Sequence, residues 1–381
     1  MSRVHLGDVA IEHKETCKED KSMYPIVGLE HLTPEQITLQ NWDLNTENTF
    51  TKVFRKGNIL FGRRRAYLKK AAVAPFDGIC SGDITVIEAK EDKIIPELLP
   101  FVIQNDDLFD FAVGKSAGSL SPRVKWTHLQ NYEFELPDKQ KQHELAKVLW
   151  AIEDTRKSYQ QLIKRTDELV KSQFIELFGD VLSNDRGWDY CLLSEVTEFV
   201  LGSTPKSSEP SYWDGDIKWI TPAEIDDNTF ELYDSVRHIT EEGVKAASLR
   251  AFPAGTVIFS SRAPIGKTAI AGCEVYCNQG FKNFICSERL NPVYLFALLR
   301  LNKDYFIGLG TGATFKELPK SRLEKISISV PPRSIQDEFE QFYRQSDIDF
   351  LEQSDKSKFE LNRALDELTA TYKQIIKDNL G

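Results

Sequence analysis

The sequence repeats itself, and this constrains the fold more than any other feature. Residues 1–179 resemble residues 187–381, in the same order along the chain. The matched segments and positions are Leu6–Val9 with Leu193–Val196, Lys56–Phe61 with Ala254–Phe259, Arg64 with Arg262, Lys69 with Lys267, Gly82 with Gly280, Gly118 with Gly312, Pro137 with Pro331, and Gln142 with Gln336. The offset between matched positions changes only in small steps, as loop insertions would produce. The sequence therefore predicts a tandem duplication.

Each half is expected to be a mixed domain that ends in a long helix. No proline or glycine occurs from Lys139 to Phe178. The contact seam of this helix follows a four-three spacing: Leu145, Leu149, Ile152, Arg156, Tyr159, Ile163, Thr166, Val170, Gln173 and Leu177. A period of 3.5 residues is typical of a helix that winds around another helix. An ordinary amphipathic helix that lies on a core is the alternative.

A second helical pattern closes the chain after two prolines. Its seam positions are Leu361, Leu365, Leu368, Tyr372 and Ile375. The predicted fold class is α+β: two similar mixed α/β globular domains, each followed by a long helix, with the two helices pairing as an antiparallel coiled coil. The predicted boundaries are 1–137 and 186–332 for the globular domains, and 138–185 and 333–381 for the helices.

The distribution of charge indicates a polyanionic partner. The net charge is -10, which taken alone disfavours a nucleic-acid binder. Residues 48–76 and 243–273, however, contain basic residues and no acidic ones. Local field decides where a polyanion docks, so these windows favour DNA binding; a solvated basic face is the alternative. The candidate DNA-binding residues are Arg63, Arg64, Arg65, Lys69, Lys70, Arg123 and Lys125 in the first half, and Ser260, Ser261, Arg262, Lys267, Lys282 and Lys316 in the second.

The two basic windows differ in side chains although their flanking strands match. The first is rich in arginine, whose guanidinium binds phosphate or guanine in a bidentate manner. The second has fewer charges but offers hydroxyl groups able to contact phosphates or base edges. The sequence thus predicts that the two halves read different DNA sequences.

Motifs for catalysis are weak. Gly266–Thr268 ends like a phosphate-binding loop, but Ser261 stands where that motif needs its first glycine. Asp77, Glu88 and Lys90 outline a metal-dependent nuclease core, which we keep as an alternative hypothesis. We otherwise expect no catalytic residue, no cofactor and no enzyme activity.

Cysteine spacing and hydropathy give further expectations. The six cysteines form no CxxC pair, and the six histidines are scattered, so we expect reduced thiols and no metal site. No apolar run approaches the ~20 residues that a membrane span needs. The sequence predicts a soluble, cytoplasmic protein without a membrane partner.

Several motifs resemble those of a known family. They are Leu201–Pro205, Tyr212–Gly215, Trp219–Pro222, Phe252–Phe259, Asn278–Phe281, Gly310–Lys316 and, at the end of the central helix, Lys171–Gly179. In this combination and order they resemble the specificity subunits of Type I restriction-modification systems, over essentially the whole chain. The first half departs from the pattern, since it lacks the Gly-Ser-Thr-Pro and Tyr-Trp-Asp-Gly segments.

The resemblance implies a function. Each globular domain would be a target recognition domain that reads one half of a split, asymmetric target in double-stranded DNA, and the paired helices would fix the spacer. The helix seams would also form the interface with two methyltransferase subunits, and restriction subunits would complete the assembly. S-adenosylmethionine and ATP would be bound by those partners. A stand-alone DNA-binding regulator with duplicated domains is the alternative.

Overall fold

A computed structural model describes residues 2–18, 21, 24–44, 47–312, 316–348 and 358–381. The chain forms two compact units: Met1–Gln160 together with Ala364–Gly381, and Gln161–Arg363. The mixed α/β class with two globular regions and long helices is confirmed. Each compact unit therefore contains one globular region together with parts of both long helices. The four predicted segments instead placed the helices and the globular domains in separate segments.

The first unit is built from short strands and helices. Its strands are β1 Ser2–His5, β2 Ala10–Glu12, β3 Ile26–Val27, β4 Lys52–Phe54, β5 Ile59–Gly62, β6 Ala71–Val73, β7 Gly78–Cys80, β8 Ile84–Ala89 and β9 Glu133–Leu136. Its helices are α1 Leu6–Val9, α2 Leu99–Ile103, α3 Asp106–Gly114, α4 Trp126–Leu129 and the start of α5, Lys139–Phe178, with a 3-10 turn at Ala66–Leu68. The sheets have the strand orders β2-β8-β5-β6, β3-β7-β4 and β1-β9.

The second unit repeats this plan with additions. Its strands are β10 Asp189–Leu192, β11 Thr197–Leu201, β12 Trp213–Ile220, β13 Glu231–Leu232, β14 Arg237–Ile239, β15 Val257–Phe259, β16 Thr268–Ala271, β17 Tyr276–Cys277, β18 Lys282–Cys286 and β19 Ser327–Val330. Its helices are α6 Leu193–Val196, α7 Glu241–Ala246, α8 Pro292–Leu301, α9 Lys303–Gly308, α10 Lys320–Leu323, α11 Arg333–Ile348 and the start of α12, Lys358–Leu380, with 3-10 turns at Pro210–Tyr212 and Pro222–Glu224. The sheets are β11-β18-β15-β16-β13, β14-β12-β17 and β10-β19.

Strand pairing supports the duplication and corrects one detail of the sequence match. Strand order β2-β8-β5-β6 corresponds to β11-β18-β15-β16, and β1-β9 corresponds to β10-β19. Ile59 pairs with Ile87, and its counterpart Val257 pairs with Phe284. The offset is therefore 198 residues on β5 but 197 on β8, since 257 − 59 = 198 and 284 − 87 = 197. Asp83, rather than Gly82, occupies the position of Gly280.

A buried glutamine fixes the start of the helix after each globular region. The Gln142 side-chain amide donates to the carbonyl of Pro137 (2.8 Å), and its oxygen accepts from the backbone amide of Ile95 (2.9 Å). Gln336 makes the same two bonds, to Pro331 (2.6 Å) and from Asn291 (2.8 Å). Buried amides need partners, so each glutamine ties its helix to the region before it. This explains the Gln142 and Gln336 match in the sequence.

In the first unit, the helix segments complete the core of the globular region. Leu149 of α5 and Tyr372 of α12 belong to one apolar cluster with Phe101 of α2. The ring of Phe101 lies 5.9 Å from Tyr372 and 5.2 Å from Trp150, centroid to centroid, both edge to face. This geometry is favourable for aromatic pairs. The helix segments are thus part of the core and not only of a helix pair.

In the second unit, the end of α5 packs in the same way. The ring of Phe178 lies 4.9 Å from Phe174, 4.7 Å from Tyr294 of α8 and 5.5 Å from Phe339 of α11. Burial of these aromatic side chains stabilises the unit by about 1.5–3 kcal/mol each on transfer alone. Gly179 then ends the helix with a positive φ of 70°, the left-handed cap that glycine adopts without strain. Residues 179–185 of the predicted spacer segment lie outside the helix.

The predicted seam positions are either buried or half-buried in both helices. Leu145, Leu149, Arg156 and Thr166 are buried, and Ile152, Tyr159, Ile163, Val170, Gln173 and Leu177 are half-buried. On α12, Leu361 and Tyr372 are buried, and Leu365, Leu368 and Ile375 are half-buried. The fully buried members cannot also contact a partner protein, which corrects their predicted second role. Exposed neighbours on the same helix are Val148, Leu169 and Ile175.

The buried Arg156 explains how the seam accommodates a charge. Its guanidinium donates to the Glu153 carboxylate (3.1 Å) and lies 5.6 Å from the Tyr372 ring centroid. A cation over an aromatic face is attracted by the ring quadrupole. Burial raises the pKa of Glu153, and the charge of Arg156 opposes that shift.

The predicted closing helix is described as two helices, α11 and α12, and residues 349–357 between them lie outside the described part of the chain. Within the described part, no helix combines the length and the hydropathy that crossing a bilayer requires.

Candidate nucleic-acid interface

The arginine-rich stretch after β5 is clamped by a second loop. The backbone amide of Arg65 donates to the carbonyl of Pro122 (2.8 Å), and that of Val124 donates to the carbonyl of Arg63 (2.9 Å). Arg64 and Arg123 lie directly opposite each other in this short antiparallel contact. We call residues 63–65 with residues 117–124 the first clamp. Backbone pairing holds three consecutive arginines in a fixed loop.

The second unit contains the same clamp, formed by residues 261–263 with residues 311–318. Of these, 313–315 are not among the described residues. Ala263 donates to the carbonyl of Lys316 (3.2 Å), and Leu318 donates to that of Ser261 (2.7 Å). Gly118 and Gly312 both adopt a φ of +117°, which requires glycine at the same point of each loop. The clamps are structural repeats.

An acidic residue lies among the arginines of the first clamp. The Asp83 carboxylate accepts from Arg123 Nε (2.7 Å) and Nη2 (3.2 Å), and from Arg64 Nη1 (3.4 Å). Arg64 Nε also donates to Ser121 Oγ (2.5 Å). The hydrogen bond from Arg123 and the positive charges of both arginines hold the pKa of Asp83 below its usual value. The carboxylate is therefore ionised at neutral pH, and the group of three carries one net positive charge.

The second clamp has a group of the same composition. The Glu317 carboxylate accepts from Lys282 Nζ (3.0 Å) and from Arg262 Nε (3.1 Å). Burial works to raise the pKa of Glu317, but the hydrogen bond and charge of Lys282, together with those of Arg262, outweigh it and lower the pKa. Again two cations surround one carboxylate.

Comparison with known proteins identifies the family. The model of the Type I restriction modification DNA specificity domain matches the chain twice, at residues 3–165 and 185–369. The chain belongs to this DNA specificity family. Both matches begin near the first strand of a repeat, and the resemblance noted in the sequence is confirmed.

Individual relatives are consistent with this membership. The MjaIX specificity subunit of Methanocaldococcus jannaschii is 38% identical over 156 residues, which cover 40% of this chain and 36% of that protein. The putative MjaX specificity subunit of the same organism is 20% identical over 91% of this chain and 85% of its own length. The crystal structure of a Type I system S subunit from M. genitalium has the same fold, with a TM-score of 0.63 at 13% identity, and the match covers 100% of this chain and 96% of that one.

Five of the predicted DNA-binding residues lie at the surface of the protein. Arg65, Arg123, Lys125, Arg262 and Lys316 are exposed, and all lie in or beside a clamp. Arg63 and Arg64 are half-buried at the base of the first clamp. The clamps as defined contain seven of the thirteen predicted residues, Ser261 among them, and Lys125 directly follows the first clamp.

Three predicted lysines are engaged elsewhere in their own unit. Lys69 Nζ contacts the Asp106 carboxylate (2.6 Å), and Lys70 Nζ donates to the carbonyl of Leu29 (2.8 Å). Lys267 Nζ donates to the carbonyl of Pro222 (2.7 Å). All three are half-buried. Their amines would have to leave these partners in order to reach a phosphate.

The predicted role of Ser260, Ser261 and Lys282 needs correction. Both serines are 0% exposed, and Lys282 is 7% exposed. Ser260 Oγ donates to the Pro264 carbonyl, and Ser261 Oγ accepts from Lys282 Nζ at 2.8 Å. Because these groups are buried and already paired, they offer no surface to DNA in this conformation. Ser261 is a buried residue of the second clamp, and Lys282 holds it through this hydrogen bond.

Asp83 and Glu317 were not predicted as site residues, because acidic residues were expected only to oppose a polyanion. Tyr67 and Leu120 were not predicted either; Tyr67 is 54% exposed beside the first clamp, and Leu120 is 92% exposed within it. Exposed apolar side chains at the edge of a basic loop are available to contact sugars or bases. No local signal marked Asp83, because residues 77–92 contain five acidic residues and one basic residue.

The nuclease hypothesis finds no support in the geometry. Asp77 pairs with Arg55 (2.9 Å), and Glu88 accepts from His13 Nδ1 (2.7 Å), while Lys90 Nζ donates to the Gly7 carbonyl (2.6 Å). Within the described residues no group of three or more acidic, histidine or cysteine side chains is arranged to hold a metal ion. The phosphate-loop fragment leads into strand β16 and not into a helix, so its amides do not converge on an anion.

Proposed function

We propose that this chain is a non-catalytic specificity subunit that recognises a bipartite, asymmetric DNA target and directs methyltransferase and restriction subunits to it. The observation that carries the proposal is the repeated clamp, which presents Arg64 in one unit and Arg262 in the other on matching backbones. A duplicated reader suits a target that consists of two half-sites. The family's DNA specificity role supports this reading.

The difference between the clamps supports an asymmetric target. The first clamp carries four arginines, Arg63, Arg64, Arg65 and Arg123, followed by Lys125. In the second clamp, the exposed cations are Arg262 and Lys316. Arginine reads guanine through its O6 and N7 atoms in a bidentate manner, whereas lysine acts as a point charge. Different cations on the same frame would select different bases.

The long helices are proposed to fix the spacer and to dock methyltransferase subunits. The buried seam leaves Val148, Leu169 and Ile175 exposed on α5, each with close to half of its side-chain surface accessible. Exposed apolar side chains on a helix are suited to a partner surface. The acidic and basic residues between them would then set the orientation of the bound methyltransferase subunit.

The function is tested by expressing the chain together with a Type I methyltransferase subunit and mapping methylated adenines along genomic DNA. We expect a split motif with two different half-sites that appears only when this chain is present. Methyltransferase expressed alone is the control. Absence of methylation, with the purified chain binding specific DNA tightly by itself, would instead favour the stand-alone regulator.

Shortening α5 is expected to shorten the spacer. Deletion of the seven residues 160–166 removes about 10 Å of helix while keeping the seam close to register, so the spacer should lose about three base pairs. The half-sites should stay the same. Replacing the exposed ion pair Lys164 and Glu168 with alanines changes the surface but not the length, and it should leave the spacer unchanged. A deletion variant with new half-sites and the original spacer would contradict the spacer role.

A further inference from the structure

Equivalent arginines in the two clamps contact a carboxylate that comes from different places in the repeat. Arg64 corresponds to Arg262, since each lies five residues after the first residue of the equivalent strands β5 and β15. The carboxylate at Arg64 is Asp83, and the position equivalent to Asp83 in the second unit is Gly280, which has no side chain. This equivalence rests on matched bonds: Arg63 N donates to the Asp83 carbonyl (3.0 Å) and Ser261 N to the Gly280 carbonyl (2.8 Å).

The second unit supplies its carboxylate from the opposite side of the clamp. Glu317 lies directly opposite Arg262 in the clamp, as Arg123 lies opposite Arg64. The second cation is also exchanged: it is Arg123 in the first unit and Lys282, on strand β18, in the second. Each group thus contains one of the two equivalent arginines, but its carboxylate and its second cation come from non-equivalent positions. A contact inherited passively from the duplication would use the same positions.

Such an acid opposes DNA binding when only net charge is considered. A carboxylate beside a phosphate-binding surface lowers the local positive potential. It does, however, restrict the rotamers of a long side chain, which would otherwise lose its conformational freedom only on being fixed at a base. Arg64 is held by two partners, Asp83 at Nη1 and Ser121 at Nε, and its side chain is still 38% exposed. Two nitrogens of the guanidinium are thus held by the protein, while part of the group remains accessible to solvent.

We propose that Asp83 and Glu317 are positioning residues that orient Arg64 and Arg262 for base readout, and that they raise the discrimination between bases at the cost of overall DNA affinity. This inference rests on the proposed function, because it requires that the clamps contact DNA. It assigns to the two acids a role in specificity without direct contact with a base. Each acid governs only the half-site read by its own unit.

The test is the Asp83→Asn variant in complex with the methyltransferase subunit. Asparagine keeps the size of the side chain and removes its charge. We expect binding to random-sequence DNA to strengthen about two- to tenfold at low salt, and preference for the cognate base at one position of one half-site to fall about tenfold or more. The other half-site should be unchanged. Asp83→Glu restores the charge and should recover at least part of the preference.

A matched control removes an acid of the same unit outside the clamp. Asp77 pairs with Arg55 at 2.9 Å, so Asp77→Asn breaks a comparable surface ion pair. It should alter neither half-site. Unchanged base preference in Asp83→Asn, or an equal change in Asp77→Asn, would overturn the positioning role. Loss of preference at both half-sites would also overturn it, since that pattern indicates damage to the whole fold.

The second unit provides an independent comparison. Glu317→Gln should relax only the opposite half-site, and its intact first half-site reports that the complex has folded. Lys282 is buried beside Glu317, so Glu317→Asp is tested as well, because it keeps the charge of this pair. Glu317→Asp should keep most of the preference, whereas full preference retained in Glu317→Gln overturns the proposal for this unit. If the wild-type complex methylates no split motif, the proposed function fails first, and this outcome is distinct from failure of the positioning role.

Discussion

Replacement of Arg64 by alanine is expected to weaken binding of the assembled complex to its cognate DNA by about 1–3 kcal/mol, roughly 5- to 150-fold. Arg64 lies in the first clamp, its guanidinium is partly accessible, and Asp83 and Ser121 fix its direction. Loss of a bidentate base contact would also relax the sequence preference at one position. Equilibrium binding at several salt concentrations, with cognate and single-substituted DNA, measures both effects.

Arg55 provides the matched control for this prediction. It is an arginine of the same unit, 42% exposed, and it is paired with Glu15 and Asp77 outside the clamp. Arg55→Ala makes the same change in charge and should weaken binding far less. If Arg64→Ala and Arg55→Ala weakened DNA binding equally, Arg64 would contribute only to the overall positive electrostatic potential of the unit and would make no specific contact. If Arg64→Ala weakened all DNA sequences uniformly, its contact would be to phosphate and not to a base.

Phe178→Ala is expected to destabilise the second unit by about 3–5 kcal/mol. The side chain is 0% exposed and its ring contacts three other aromatic rings, so truncation leaves a cavity as well as lost transfer energy. Denaturant unfolding followed by tryptophan fluorescence, together with a lower melting temperature, measures the loss. Because α5 ends at Phe178, we also expect the variant complex to select the length of the DNA spacer less strictly.

Ile175 is the control on the same helix. It is 50% exposed, only three residues earlier, and Ile175→Ala should change the free energy of unfolding by no more than about 0.5 kcal/mol. It should instead affect association with the methyltransferase if the exposed face of α5 is a partner surface. A stability loss as large as that of Phe178→Ala would show that the packing of this helix end is different from the one described.

Local patterns were sufficient for some parts of the structure. The absence of proline and glycine from Lys139 to Phe178 and the seam spacing predicted α5, because periodicity and helix breakers act over a few residues. The predicted segment 138–185 nevertheless extended beyond the end of the helix at Phe178. The matched Gln142 and Gln336 also reflect a local requirement at the start of each helix. The conserved order of the repeat implied two similar units. These features depend on neighbours in sequence.

The arrangement of the clamps could not be obtained in this way. Ser260, Ser261 and Lys282 have polar side chains that suggested a surface, yet the packing of β15 and β18 buries them. A polar residue is buried when long-range partners satisfy it, and Lys282 finds Ser261 and Glu317 at distances of 21 and 35 residues along the chain. Composition does not indicate where such partners will lie.

The sequence by itself determined the duplication, the class of fold, the presence of the central helix and the location of the two basic windows. Tertiary structure decided which of those basic residues remain at the surface, which acids hold them, and how the helices are shared between the units. Asp83 reaches Arg123 across 40 residues and Glu317 reaches Arg262 across 55. Contacts of this kind depend on strand register, and a shift of one residue, as between Gly82 and Asp83, moves a side chain to the other face of the sheet.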